Sequence, residues 1–362
     1  MYRRQFLQTL NFMGASFTLL EPASPDEHAS IIEPTTTQIL TVPTKVPKVA
    51  ANGWDAPKVG VIVVGGLGFT ILSDLAGRLP YLSRAIAIDT DVVSLQRVKA
   101  DRKILVSDSK ALPFNPHAVR LRAKSYHPEI ANAVADLDMV FLVAGMGGAV
   151  GSDLSPLVAK MLHEQDILTL AFATLPFNFE SPQHKQIAQT AMRELRVHVD
   201  ALLPFSNGYV EQVAGEVSSV TCVSSQAALV LDHLWHCILN PVCRPGLINI
   251  DFEDLRHIIL SHEGDCAFGF GSASCAEGAE VATRKAIDHP LLGQLQLRRA
   301  SAALIAVRSS QRTALLQESK NVLRSIRNQL HPDAWVIYGA HHDDTLGDEI
   351  TVSVLASGIR NA

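Results

Sequence analysis

The chain has 362 residues, 47% hydrophobic and 19% charged, with 36 acidic against 31 basic side chains and a net charge of −5. That length holds two ordinary domains, and the balance excludes a disordered or fibrous chain. The net negative charge argues against a basic surface and against nucleic acid as a partner.

Residues 1–56 read as a tail and linker. Arg3 and Arg4 precede a mildly apolar run at 12–20, as in a twin-arginine export signal. Gln8 and Asn11 interrupt the approach, no small-x-small cleavage site follows, and the run is shorter than the roughly 20 apolar residues of a membrane span. The expectation is a cytoplasmic tail touching a membrane through a short helix, with export as the alternative.

From Lys58 strands and helices alternate. The apolar run 59–64 reads as a strand ended by Gly65, Gly66, Leu67 and Gly68, with a helix predicted over 69–79. Further strands are predicted at 85–88, 139–143 and 167–172, with a helix over 154–164. Continuous apolar strands between helices imply a parallel sheet covered on both faces, with ligands at the carboxyl ends of its strands. A long helix over 220–240 precedes a second pattern: strands at 267–274, 302–307, 335–338 and 349–355, with helices over 276–288 and 312–329. The expected fold is α/β, a parallel-sheet Rossmann-type domain, a long central helix and a second α/β domain on a mixed sheet. Its divisions are 57–220, 221–244 and 245–362.

The five cysteines (Cys222, Cys237, Cys243, Cys266 and Cys275) form no Cys-x-x-Cys pair, so free thiols in a reducing compartment are expected. No His-x-x-x-His or Glu-x-x-His cluster puts two ligands on one helix face. His341, His342, Asp343 and Asp344 are the one metal-like run, and a solvated turn is the expectation for it.

Glycines at a strand-to-helix turn bring backbone close to phosphate, whose charge the helix N-terminus favours. Gly65, Gly66 and Gly68 are so placed, and with Asp89 ending the next strand they imitate a dinucleotide site. The G-x-G-x-x-G spacing fails, because its third position falls on Ile71. A second cluster, Ala144, Gly145, Met146, Gly147, Gly148, Ala149, Val150, Gly151 and Ser152, also follows a strand and opens a helix. Two such turns on one sheet do not suit a dehydrogenase.

They resemble the GTPase domain of the FtsZ/tubulin family, whose signature Gly-Gly-Gly-Thr-Gly-Thr-Gly is similar to Gly147 through Asp153. The resemblance runs on through Ala87 to Asp91, Asn115 and Pro116, Pro176 to Glu180, Ser206 and Asn207, and the C-terminal 347–358 stretch. Pro245, Gly246, Leu247, Ile248, Asn249, Ile250, Asp251 and then Asp254 resemble the family's synergy loop. The resemblance implies that Glu180 meets a ribose and Asn207 lies on the base side. It also implies that Asn249, Asp251 and Asp254 complete hydrolysis of GTP held by the adjacent subunit, with Mg²⁺.

The pattern also breaks. Val150 replaces a threonine, Phe69 an asparagine, and His184 an arginine near the phosphates. Asp153 replaces a glycine and adds a charge costing about 1–4 kcal/mol against phosphate, unless it only caps the following helix. The 109–114 stretch lacks a glycine-rich γ-phosphate loop, and Pro113 has no N–H to donate. Ala228 and Leu229 stand where the family has the Asn-Asp pair that reads guanine, a loss of roughly 3–6 kcal/mol. GTP is therefore the implied cofactor with weakened or lost binding, and Mg²⁺ is expected only where GTP binds. The implied partners are a second copy or a genuine FtsZ in head-to-tail filaments, with a cytoplasmic location. Asp251 and Asp254 have a plainer alternative, capping a helix from about Leu255. The sequence ends at Ala362 soon after the last predicted strand, so the family's usual terminal tether peptide is expected to be lacking.

Overall fold

The computed structural model describes residues 56–106, 126–206, 209–210, 220–244, 246–260, 265–310 and 312–359. Six runs of mostly apolar residues form β1 (Val59–Val64), β2 (Leu82–Asp89), β3 (Arg102–Leu105), β4 (Met139–Gly145), β5 (Leu168–Leu175) and β6 (Ala201–Ser206). They pair in parallel in the order β3-β2-β1-β4-β5-β6. Side chains of a strand alternate between faces, so near-continuous burial demands cover on both sides. Val59, Val61 and Val63 enter one core, with α1 (Gly65–Asp74) and α6 (Val220–Cys243). Ile62 and Val64 enter the other, with α3 (His127–Val134), α4 (Ala149–Glu164) and α5 (Pro182–His198). The short α2 (Val92–Arg97) is capped by Asp91, which accepts from the Val93 and Ser94 N–H groups.

The central helix α6 is apolar on nearly every side because it is wrapped by both halves of the molecule. Trp235 is fully buried on it, donating Nε1–H to the Pro80 carbonyl at 2.8 Å with its ring 4.7 Å from Phe141. After α7 (Phe252–Leu260) the second sheet pairs β7 (Asp265–Ser274), β10 (Glu349–Ile359), β8 (Ala302–Ser309) and β9 (Trp335–His342), in that spatial order. β10 runs antiparallel to β7 and β8, while β8 and β9 are parallel, so the sheet is mixed as expected. One face packs Leu304, Ala306 and Leu355 against α6 and α7. The other packs Ile305, Val307, Val352 and Val354 against α8 (Ala279–Ile287), α9 (Gln294–Arg299) and α10 (Arg312–Arg327).

Two sequence expectations are corrected here. α1 starts at Gly65 rather than at residue 69, and α4 at Ala149 rather than 154, so the glycines are first-turn residues of helices. The His341–Asp344 run is not a solvated turn. His341 is 1% exposed on β9 with Nε2 3.0 Å from the Arg244 carbonyl, and Asp343 is buried against Arg308 at 3.1 Å. A strand edge and a buried cation claim residues that in sequence read as polar punctuation. None of the five thiols is joined in a disulfide.

Candidate functional site

The two glycine turns meet at the carboxyl ends of the neighbouring strands β1 and β4. Gly65 has φ +78°, and a Cβ there would stand 3.5 Å from the Gly151 N and 3.6 Å from Val150. Gly147, at φ +98°, leaves no room for a side chain, whose Cβ would come within 2.6 Å of Pro176. Both α1 and α4 begin without a side-chain cap, at Val64 and Gly148. Their first-turn N–H groups therefore face the same region with the positive ends of two helix dipoles, a setting that suits an anion. Open space lies above Gly66 and Gly148.

Gly151 fixes how closely α4 sits on β4. A Cβ on it would fall 2.1 Å from the Gly145 carbonyl oxygen. We expect Gly151→Ala to cost about 1–3 kcal/mol by forcing the helix off the strand. Calorimetric melting checks this, and an unchanged transition would refute so close an approach.

The cradle is partly filled by its own side chains. The Gly147 N–H donates to the Ser152 hydroxyl at 2.9 Å inside the fold, where Ser152 is 1% exposed. Val150 lies alongside Gly65. Asp153 is not a cap. It lies buried within α4, whose N-cap is Gly148, and five residues of helix place it about 7 Å along the axis from that cap.

Around the turns, Glu180 accepts from the Phe177 N–H at 2.8 Å and meets His184 Nδ1 at 3.0 Å. Phe177 and Phe179 stack at 4.8 Å, and Phe179 is 75% exposed. Phe69 is buried in the core of α1 instead of facing the cradle. Asp89, the acid that imitated a ribose ligand, is buried and accepts from the N–H groups of Thr90 and Asp91 at 2.6 and 3.1 Å. Burial pushes its carboxyl up, with these two hydrogen bonds opposing. On α6, Ala228 is buried in the apolar core and Leu229 is half-buried beside it. The 109–114 stretch, Asn115, Pro116 and Asn207 lie outside the described residues.

The loop after α6 is held by the second sheet. Leu247 and Ile248 donate N–H to the Ala340 carbonyl on β9, Ala340 donates back to Ile248, and the Ile250 N–H reaches the Pro241 carbonyl at 2.9 Å. Gly246 packs so tightly against His341 that a Cβ would come within 2.3 Å of Nε2. Asn249 turns inward on its own loop, Oδ1 accepting from the Gly246 N–H at 2.7 Å. Asp251 accepts from the Glu253 N–H at 3.1 Å at the start of α7, which opens at Phe252 rather than near Leu255. Asp254 stands in the first turn. Both carboxylates are exposed, as are Leu247 and Ile248.

Among the described residues, no group of three or more His, Cys, Asp or Glu side chains gathers as metal ligands, and no helix is long and apolar enough to cross a membrane. Sequence reading missed Arg308, a lone cation closing an apolar strand. It is 5% exposed, bound to Asp343 and within the field of Asp232 on α6. Nothing local marks it.

Comparison with known proteins places this arrangement. The model for the tubulin/FtsZ family GTPase domain matches residues 58–215, and that for the FtsZ family C-terminal domain matches 264–360. Cell division protein FtsZ of Caulobacter vibrioides is 31% identical over 84% of this chain, which spans 61% of that relative's length. FtsZ of Buchnera aphidicola subsp. Schizaphis graminum is 32% identical over 83% of the chain and 78% of its own. The structure of an empty FtsZ dimer from M. jannaschii superposes with a TM-score of 0.75 at 28% identity, over 84% of this chain and 89% of that one. Two domain models matched in order along the chain, relatives above 30% identity and a shared fold together show that the chain belongs to the tubulin/FtsZ family.

Proposed function

We propose that this chain is an FtsZ-like cytoskeletal subunit whose own GTP binding is weakened or lost, and which associates with FtsZ-type filaments through its acidic loop. The observation that carries the reading is the contrast between the two surfaces. Asp251 and Asp254 are exposed on a loop braced by β9. In the cradle, Ser152 takes the Gly147 N–H and Asp153 lies within α4, and on α6 apolar Ala228 and Leu229 stand where the resemblance puts the guanine-reading pair.

The acids act in trans on this reading. From Leu229 to the end of α6 at Cys243 is about 20 Å of helix, so the chain's own loop does not reach a nucleotide seated by α6. Docking onto an FtsZ subunit that carries GTP and Mg²⁺ would place the acids beside a nucleotide this chain does not need to bind. Offering no nucleotide in return, the chain would join a filament end and limit growth there. A cytoplasmic location, a membrane contact by the 1–56 segment and the domain limits 57–220, 221–244 and 245–362 belong to the same proposal.

A second reading, an active GTPase forming its own filaments, is favoured by the open backbone above Gly66 and Gly148 and the two uncapped helix starts. Equilibrium binding of labelled GTP with Mg²⁺ separates them. We expect affinity at least about a hundredfold below that of the host's FtsZ, from the loss of the guanine-reading pair. Tight binding with phosphate release would establish the second reading. In parallel, substoichiometric addition to polymerising host FtsZ should shorten its filaments, and unchanged length would remove the end-joining role.

A further inference from the structure

The net charge of −5 conceals a strong local excess, contrary to the expectation that the chain carries no basic surface. Between Ala279 and Arg327 there are nine Lys and Arg, one of them the buried Arg308 of β8, against three Asp and Glu, out of 31 and 36 in the whole chain. The rest of the chain thus carries 22 against 33. The segment builds the outer helix layer of the second sheet, α8, α9 and α10, whose apolar sides are spent on one shared core. Arg284 and Lys285 on α8, Arg298 and Arg299 on α9, and Lys320 and Arg324 on α10 are all exposed. Lys320, Arg324 and Arg327 follow one stripe of α10 at i, i+4 and i+7.

We propose that this helix layer is a docking surface for an anionic lipid bilayer. Four strands at about 4.8 Å spacing under a 16-residue helix give a layer about 15 Å wide and about 24 Å long. A bilayer is the partner whose negative charge is spread over an area of that kind. Lys285 donates to the Ser272 carbonyl, Arg284 pairs with Glu280 and Arg327 holds the Pro332 and Ala334 carbonyls, so Arg298, Arg299, Lys320 and Arg324 are the cations that would reach headgroups. Nucleic acid fits less well, because residues 279–327 contain no Phe, Tyr or Trp on which a base could stack. Among the described side chains none of the exposed large hydrophobic residues falls in this segment, so the contact is electrostatic and shallow.

The test is co-sedimentation of the full chain with phosphatidylcholine vesicles, with and without phosphatidylglycerol, in low and raised salt. Nucleotide is absent, so the outcome is independent of how the GTP site behaves. We expect binding only to the anionic vesicles, weakening steeply as salt rises. Each cation near the surface is worth about fivefold in affinity, so R298E/R299E/K320E/R324E should lose about a hundredfold or more. R298K/R299K/R324K, which keeps the charge, should bind like the parent. No binding of the parent to anionic vesicles, or full retention by the charge-reversed chain, would overturn the proposal; the latter would assign the contact to another part of the chain. Duplex DNA or polyglutamate held as tightly as the vesicles would overturn it in favour of a nucleic acid or protein partner. Should the charge-reversed chain melt early, the parent's salt series decides, and salt-independent binding rejects the surface.

Discussion

Replacing Arg308 by Met is expected to destabilise the protein by about 3–5 kcal/mol. Arg308 and Asp343 are each only 5% exposed and lie 3.1 Å apart, and Asp343 also accepts from the Thr345 N–H and hydroxyl. Removing the guanidinium leaves that carboxylate buried without its cation, a cost larger than the net worth of the pair itself. Two charges in a nonpolar setting repay little more than their own desolvation. The double variant R308M/D343L should therefore recover most of the loss. Arg308 also lies in the field of Asp232, which holds Arg78 of the first half at 3.0 Å. The single variant should thus loosen the joint between α6 and the second sheet as well as lower overall stability. Denaturant titration of both variants is the check. A single variant within about 0.5 kcal/mol of the parent would show that water reaches the pair and that it contributes only as a surface bridge would.

The second large effect is a loss of stability in mild acid. His233 stacks on Phe270 with ring centroids 3.8 Å apart, and Phe270 lies 4.6 Å from His289, which meets the Tyr209 hydroxyl at 3.3 Å. Burial pushes the His233 imidazole down to about 3, with the positive charge of Arg308 adding to it, and burial alone takes His289 down to about 4. His236 and His341 are also lowered, chiefly by burial. A lowered histidine is neutral in the folded chain and protonates more readily when unfolded. Its stabilising contribution is whole above about pH 6.5 and declines as pH falls towards the folded value. His233 and His289 by themselves imply a loss of about 2–3 kcal/mol per pH unit between about pH 6 and pH 4.5, in the direction that His236 and His341 share. Asp89 works against this near the lower end, because its carboxyl is pushed up by burial. Asp343, held below the usual carboxylate range by Thr345 and Arg308, contributes stability that is lost only at lower pH still. His289→Asn should remove about half of the share that His233 and His289 contribute. A melting temperature flat from pH 7.5 to 5, an interval set by these values, would mean that both rings are hydrated.

Most of the architecture was legible because it is written in local chemistry. Continuous apolar runs form parallel strands buried on both faces, and the strand that alternates, β10, lies in the mixed sheet. Helix starts were misplaced by about one turn at α1 and α4, because glycine reads as a loop former while here it supplies the close-packed first turn. The acidic loop could be named from its order of residues. Its bracing by β9 could not, since Ala340 and His341 are nearly a hundred positions away.

What the sequence by itself determined was the fold class, the family resemblance and the types of side chain offered at each end of the molecule. These follow from periodicity, turn chemistry and residue identity, which need no knowledge of distant neighbours. Only the tertiary structure decided which polar groups remain available. Ser152 takes up a cradle N–H, Asp153 lies inside a helix rather than at its end, Asp343 is paired with a buried arginine, and scattered cations gather on one helix layer. The reason is physical. A hydrogen bond or a charge acts over a few ångströms of space, and the chain brings such partners together only when its cores close.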